Sequence, residues 1–308
     1  MTMNQPFDRT GLDRVCAFVN GKGGVLKTTL TANLGGLLAV SGWRVLLVDF
    51  DPQGNLGLDL GYRHTPNVDD DGMGMAQSLM FGAPLTPVKG IRPNLDVVPG
   101  GLHLDQAAAG LVSLAGKDAR RAKLALAAAL SPLADQYDII FIDCPPGNEP
   151  LQLAALGAAA QIIVPTKTDR GGREGLLGVA KRLDSVIDVN PGIDLLGVII
   201  AATSSSAKSV QRTVREAITE AFGTEDVLFE SMVRHAESPA QAVRERGVLV
   251  HELEEQVNAG PKWYEVLRGA AKGEPSQPRS AGNVAEDLHR VAQELVARLE
   301  SAEQRNAS

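Results

Sequence analysis

The sequence predicts an α/β fold built on a doubly wound, mostly parallel central sheet flanked by helices, with a final helix after a short linker. Three observations carry that prediction. Short, continuous apolar runs recur along the chain, and such runs suit parallel strands buried on both faces. Stretches with apolar residues at helical spacing alternate with them, which is the pattern of strands joined by crossover helices. Composition agrees: 44% of the 308 residues are hydrophobic, 22% charged and only 4% aromatic, a balance rich in Ala, Leu, Val and Gly.

The elements follow in order. Residues 14–20 form an apolar strand that runs into a glycine-rich bend, and a helix starts near Lys27. Leu30, Leu34, Leu37 and Leu38 repeat at helical spacing up to Ser41 and Gly42, which stop it. A second strand, from Arg44, ends in two carboxylates, Asp49 and Asp51. Pro52, Gln53, Gly54 and Asn55 then take the chain out of the sheet as a polar loop. Residues 61–94, with the run Asp69 to Asp71, read as an irregular surface excursion around one short helix, Met75 to Phe81. Leu95 to Pro99 returns to a strand, and Leu102 to Leu114 and Ala119 to Leu133 are two helices covering one sheet face.

Tyr137 to Asp143 is a third informative strand, and Pro145 and Pro146 expel the chain from the sheet directly after it. Leu151 to Ala159 reads as a helix, Gln161 to Pro165 as a strand, Arg173 to Val189 as a helix and Leu195 to Ala202 as a strand. Ala207 to Phe222 is a further amphipathic helix. Gly273 to Asn283 is Gly/Ser/Pro-rich and reads as a linker. Val284, Leu288, Val291, Leu295 and Leu299 then form an apolar stripe on a terminal helix over 284–308. The domain reading is therefore one main domain over residues 1–272, a linker and that helix.

The bend carries the most specific chemistry. Gly21, Gly23 and Gly24 let successive backbone N–H groups turn inward, and the helix start adds the positive end of its dipole. A polyphosphate fits such a nest. Gly21, Lys22, Gly23, Gly24, Val25, Leu26, Lys27, Thr28 and Thr29 are the candidate nucleotide-binding residues. Lys27 reaches the terminal phosphates, Thr28 offers a hydroxyl to magnesium and Thr29 adds a further hydroxyl. Leu26 stands where the pattern G-x-x-x-x-G-K-S/T wants glycine. Either the loop accepts a strained leucine there, at a cost of about 1–2 kcal/mol, or it bends differently. Lys22 places a second ammonium in the same small nest, and two such charges repel unless several phosphate charges neutralise both.

Carboxylates at strand ends complete the pattern, because ligands collect beyond the carboxyl ends of parallel strands. Asp51 and Asp143 are candidate magnesium groups that face the site, Asp143 in the Walker B position, where a carboxylate can hold magnesium through water. Asp49 is divided between a metal-shell and a purely structural role.

A net charge of −7 argues against a globally basic nucleic-acid coat protein but leaves room for a local basic field. Lys208, Arg212 and Arg215 line one side of the helix over 207–222 opposite its apolar face, and Arg234 extends that surface. These four are the candidate DNA-phosphate contacts, set against the plainer reading of a solvated face tempered by Glu216 and Glu220. Cys16 and Cys144 lie in or beside apolar strands, which fits buried, reduced thiols and a cytoplasmic protein. No signal peptide is evident and no run reaches the apolar length of a membrane span. The terminal helix carries Glu286, Asp287, Glu294, Glu300 and Glu303 rather than a basic membrane-facing edge.

Three motifs in order, KGGVLKTT, DFDPQGN and DCPP, make the chain resemble ParA/Soj-type partition ATPases of the deviant Walker A, MinD/ParA superfamily. The resemblance covers about residues 14–203 and is thin beyond. It implies a P-loop NTPase fold, ATP and Mg²⁺ as cofactors, and slow hydrolysis with Lys22, Lys27 and Asp51 as the catalytic set. It also implies a homodimer formed on ATP, Lys22 reaching the partner's nucleotide, non-specific DNA binding with nucleoid association, and a ParB-type adaptor. The segment before the first strand is too short for a helix-turn-helix domain. A MinD-like membrane ATPase, a scaffold-bound cargo-positioning ATPase without DNA binding and an iron–sulfur reductase share parts of the pattern. The acidic terminal helix argues against the first, and cysteines placed in core strands argue against the last.

Overall fold

A computed structural model describes residues 7–203, 208–224, 226–234, 237–259 and 280–307. Its first half contains β1 (Val15–Phe18), α1 (Lys27–Val40), β2 (Val45–Asp49), α2 (Asn55–Asp59), α3 (Met73–Phe81), β3 (Val88–Arg92), β4 (Leu95–Val98) and α4 (His103–Ala115). Next come α5 (Ala119–Lys123), α6 (Ala125–Leu130), a 3-10 turn (Ser131–Gln136), β5 (Ile139–Asp143), α7 (Glu149–Ala158), β6 (Gln161–Thr166) and α8 (Arg170–Asp184). The described remainder is β7 (Asp194–Thr203), α9 (Lys208–Phe222), β8 (Val233–Arg234), α10 (Glu237–Arg246), α11 (Val250–Ala259) and α12 (Ser280–Ala307).

The strands lie side by side in the order β3-β4-β2-β5-β1-β6-β7-β8. Every pairing is parallel except β3 with β4. Alternation along each strand builds two apolar layers. Val15, Ala17, Ile140 and Ile142 face one layer with α3 to α9, while Cys16, Phe18, Ile139 and Phe141 face the other with α1 and α10 to α12. Phe18 and Phe141 meet edge to face with ring centroids 5.2 Å apart. The chain leaves β1 for β2 on one side of the sheet and later adds β6 to β8 on the other. Its order therefore reverses at β1, and the loop after β1 opens at the switch point where ligands bind in such sheets.

Several boundaries move. The helix expected over 119–133 is interrupted: Leu124 joins α5 to α6, and Pro132 turns the rest into a 3-10 segment. The excursion over 61–94 is more ordered than expected, since α3 starts at Met73 and Val88–Arg92 forms an antiparallel edge strand. That strand reads VKGIR and is partly exposed, so it lacks the continuous apolar signal of the buried ones. The terminal helix starts at Ser280, inside the stretch read as linker; residues 260–279 lie outside those described. Its apolar stripe packs against α1 and α11 in the same chain, and Arg234 grips Asp287 on it with contacts of 2.7 and 2.9 Å. No described helix is long and apolar enough to cross a membrane. Cys16 and Cys144 are buried and unpaired with each other, and burial pushes the Cys16 thiol up to about 12.

Candidate functional site

The loop after β1 holds its shape through local strain and a side-chain brace. Leu26 adopts φ 64° and ψ 25°, the left-handed conformation, immediately before α1 begins. The strained alternative is therefore the one realised, and Gly24 takes a positive φ of 70° beside it. Asn20, absent from the sequence reading, is the brace. Its Nδ2 donates to Pro165 O at 2.8 Å and its Oδ1 accepts from Lys22 N at 2.9 Å, tying the loop to the end of β6. The signal for it was only a polar residue ending an apolar run.

Lys27 is 6% exposed and donates to Lys22 O at 3.1 Å, so its ammonium points into the curl of the loop. Burial lowers its pKa, and Asp143, Cys144 and Asp51 oppose that shift. Lys22 turns back along its own chain to Asp169, 2.6 and 2.7 Å from the two carboxylate oxygens. Helix α8 leaves room for this. A methyl group on Gly171 would lie 2.4 Å from Lys22 Nζ, and one on Gly175 would lie 2.4 Å from Asn20 Oδ1. Thr29 Oγ1 reaches Asp59 Oδ2 at 3.5 Å, and Arg244 from α10 holds the other oxygen of Asp59 at 3.1 Å. Neither Asp59 nor Arg244 belongs to a motif, so this link was not legible beforehand.

Asp49 and Asp143 stand opposite each other in register at the ends of β2 and β5, both fully buried. Their roles separate by hydrogen bonding. Asp49 accepts from Asp51 N at 3.2 Å and Leu56 N at 3.1 Å, so it anchors the following loop. Both oxygens of Asp143 are buried without a hydrogen-bond partner of ordinary geometry. Burial pushes its carboxyl up to about 7, opposed by the neighbouring Thr28 hydroxyl and Lys27 charge. Asp51 accepts from Gln53 N at 2.9 Å. Burial raises it too, against the pull of that N–H and of Lys27. Gly21, Lys22, Gly23, Gly24, Val25, Leu26, Lys27 and Thr28 thus share one end of the sheet with Asp51 and Asp143.

A buried carboxylate with two unsatisfied oxygens costs several kcal/mol unless something partners it. The Thr28 hydroxyl beside it and the inward-facing loop make a donor set that suits a hydrated magnesium ion carrying a polyphosphate.

The helix expected to carry the basic stripe forms as α9, with Val214, Ala217 and Ile218 buried on its apolar side. Arg212 is exposed and stands 3.8 Å from Glu216, and Arg215 is half-buried. The Lys208 side chain lies outside the described residues. Arg234 is exposed, with its guanidinium paired to the buried Asp287, so it both ties the terminal helix down and keeps part of its charge at the surface.

A family profile described as AAA domain matches residues 13–195. The chromosome-partitioning ATPase Soj of Treponema pallidum is 34% identical, across 83% of this chain and 96% of that protein. Soj of Thermus thermophilus is 36% identical across 74% and 85%. Among solved structures, an ATP complex of McdA from Cyanothece superposes with a TM-score of 0.69 at 21% identity, over 92% of this chain and 96% of that one, a likeness of fold.

Proposed function

Because the chain belongs to the ParA/Soj-type ATPases of the MinD/ParA family, we propose that it is a DNA-partition switch whose slow ATP hydrolysis times its stay on DNA. It is an ATPase and works with ATP and Mg²⁺. In the proposed cycle ATP closes two copies into a dimer, the dimer binds DNA without sequence preference at the nucleoid, and a ParB-type adaptor triggers hydrolysis and release. The observation that carries the reading is Asp143, buried with two unpartnered oxygens, beside Thr28 and a loop that aims Lys27 inward.

The chemistry assigned to the chain's own residues is phosphoryl transfer to water. Gly21 to Thr29 wrap the phosphates, and Lys27 neutralises charge that grows on them as the bond to the leaving group lengthens. Thr28 and Asp143, the latter through water, would hold magnesium, which supplies further charge neutralisation when bound. Asp51 orients the attacking water and would help hold the magnesium. Lys22 serves the second copy's nucleotide, for which it must exchange Asp169 for phosphate. Arg212, Arg215 and Lys208 are retained as the proposed DNA contacts.

The test measures DNA binding with and without ATP for wild type, Asp51→Ala and a Lys208/Arg212/Arg215 triple alanine. Wild type should bind only with ATP, in a salt-sensitive way, and Asp51→Ala should persist as an ATP-bound dimer. The triple variant should lose DNA while keeping ATP. ATP-driven dimers of wild type that ignore DNA would instead support a scaffold-bound positioning ATPase. An Asp51→Ala protein hydrolysing at the normal rate would refute the water-positioning assignment.

A further inference from the structure

Lys167, at the carboxyl end of β6, belongs to none of the three motifs. β6 runs beside β1 with Ile163 opposite Phe18, and the Asn20 brace to Pro165 O carries that alignment past the strand ends. The residues after Pro165 therefore follow the rim of the phosphate loop. A methyl group placed on Gly24 would lie 3.8 Å from Lys167 Nζ. The backbone that presents this ammonium is pinned: Lys167 O accepts from Thr166 Oγ1 at 3.3 Å, and a Cβ on Gly172 would come within 2.0 Å of the same oxygen.

Charge balance distinguishes Lys167 from the two motif lysines. Lys27 has Asp143 and Asp51 around it, and Lys22 is paired with Asp169. Lys167 has no acidic partner within 4.0 Å among the described residues; Asp169 feels its charge only from further away. It also lines a cavity of about 530 Å³ between α8 and α9, so space remains beside it. An unpaired ammonium at the rim of a nest built for several phosphate charges is a binding group without its ligand.

We propose that Lys167 is a third phosphate-binding cation of this site, supplied by β6 to the polyphosphate of ATP bound in the same chain. The inference rests on the loop being the phosphate cradle. It also gives the site a cation that stays in place when Lys22 serves a second copy.

The experiment measures ATP affinity, with magnesium, by displacement of a fluorescent ATP analogue from wild type, Lys167→Gln and Lys167→Arg at low and high salt. Thermal unfolding checks that each variant folds. Lys167→Gln should bind roughly ten- to a hundred-fold more weakly at low salt, the scale of one charged hydrogen bond. Lys167→Arg should recover most of the loss, and the gap should narrow as salt screens the charge. A glutamine variant that binds like wild type overturns the inference. So does a loss that is indifferent to salt and not recovered by arginine, because a residue that merely shapes the end of β6 behaves that way. Failure of the wild-type chain to bind ATP would sink the loop assignment and this inference together.

Discussion

Leu26 allows the strain in the phosphate loop to be weighed directly. Its φ of 64° sets a Cβ against its own backbone, at a cost of about 1–2 kcal/mol that alanine shares and glycine escapes. Glycine gives back roughly 0.4–1 kcal/mol through the greater freedom of the unfolded chain. Leu26→Gly should therefore be more stable than Leu26→Ala by about 0.5–1 kcal/mol. Both lose a half-buried side chain that packs against the α1 layer, worth about 1 kcal/mol if half of a full leucine burial is counted. The glycine variant should thus unfold near the wild type and the alanine variant clearly below it. Urea unfolding of nucleotide-free protein, followed by circular dichroism, reads the order from the midpoints. An alanine variant as stable as the glycine variant would show that the loop relaxes in solution and that Leu26 stores no strain.

Three further outcomes follow from named contacts. Arg234→Ala should lower stability by about 1–2 kcal/mol in urea, because Asp287 is nearly buried and loses a paired contact; its DNA affinity should be unchanged. Gly157→Ala would set a methyl 1.9 Å from Lys123 O, and overpacking against backbone should cost about 2 kcal/mol or more by the same measurement. Burial holds His251 below its ordinary value of 6.5, against Glu252 and Glu255. The unfolded chain then binds more protons than the folded one below that value, so His251 contributes a stability that is lost as the pH falls through the window. His251→Gln should flatten that acid loss in thermal unfolding; an unchanged slope would contradict the shift.

What sequence reasoning reached, and where it stopped, follows physical lines. β1, β2, β5 and β6 were legible because strands buried on both faces read as unbroken apolar runs, and the loop because its glycines and lysines sit at fixed spacing. The carboxylates at strand ends were found for the same reason, but their division of labour was not. Asp49 and Asp143 are equivalent in pattern, and only the N–H groups of Asp51 and Leu56 tell them apart. The edge strand Val88–Arg92 and the short pieces α10 and α11 escaped because partly exposed elements mix polar and apolar residues without a clean period. Asn20 and Pro165, Gly24 and Lys167, and Asp59 and Arg244 are pairs far apart in sequence whose members meet only when the sheet folds. The pairing of Arg234 with Asp287 was not legible either, since its acidic neighbour stands over fifty positions away in sequence.

Helix α1 is enclosed nearly all round, by the sheet on one side and by α11 and α12 on the other. Its first turn is also the floor of the phosphate loop. A shortened version of the chain that stopped before residue 280 would strip the far side of the very helix that presents Lys27, Thr28 and Thr29. Loss of ATP binding in such a deletion would report on the seating of α1, and should not be taken to place nucleotide contacts in the tail.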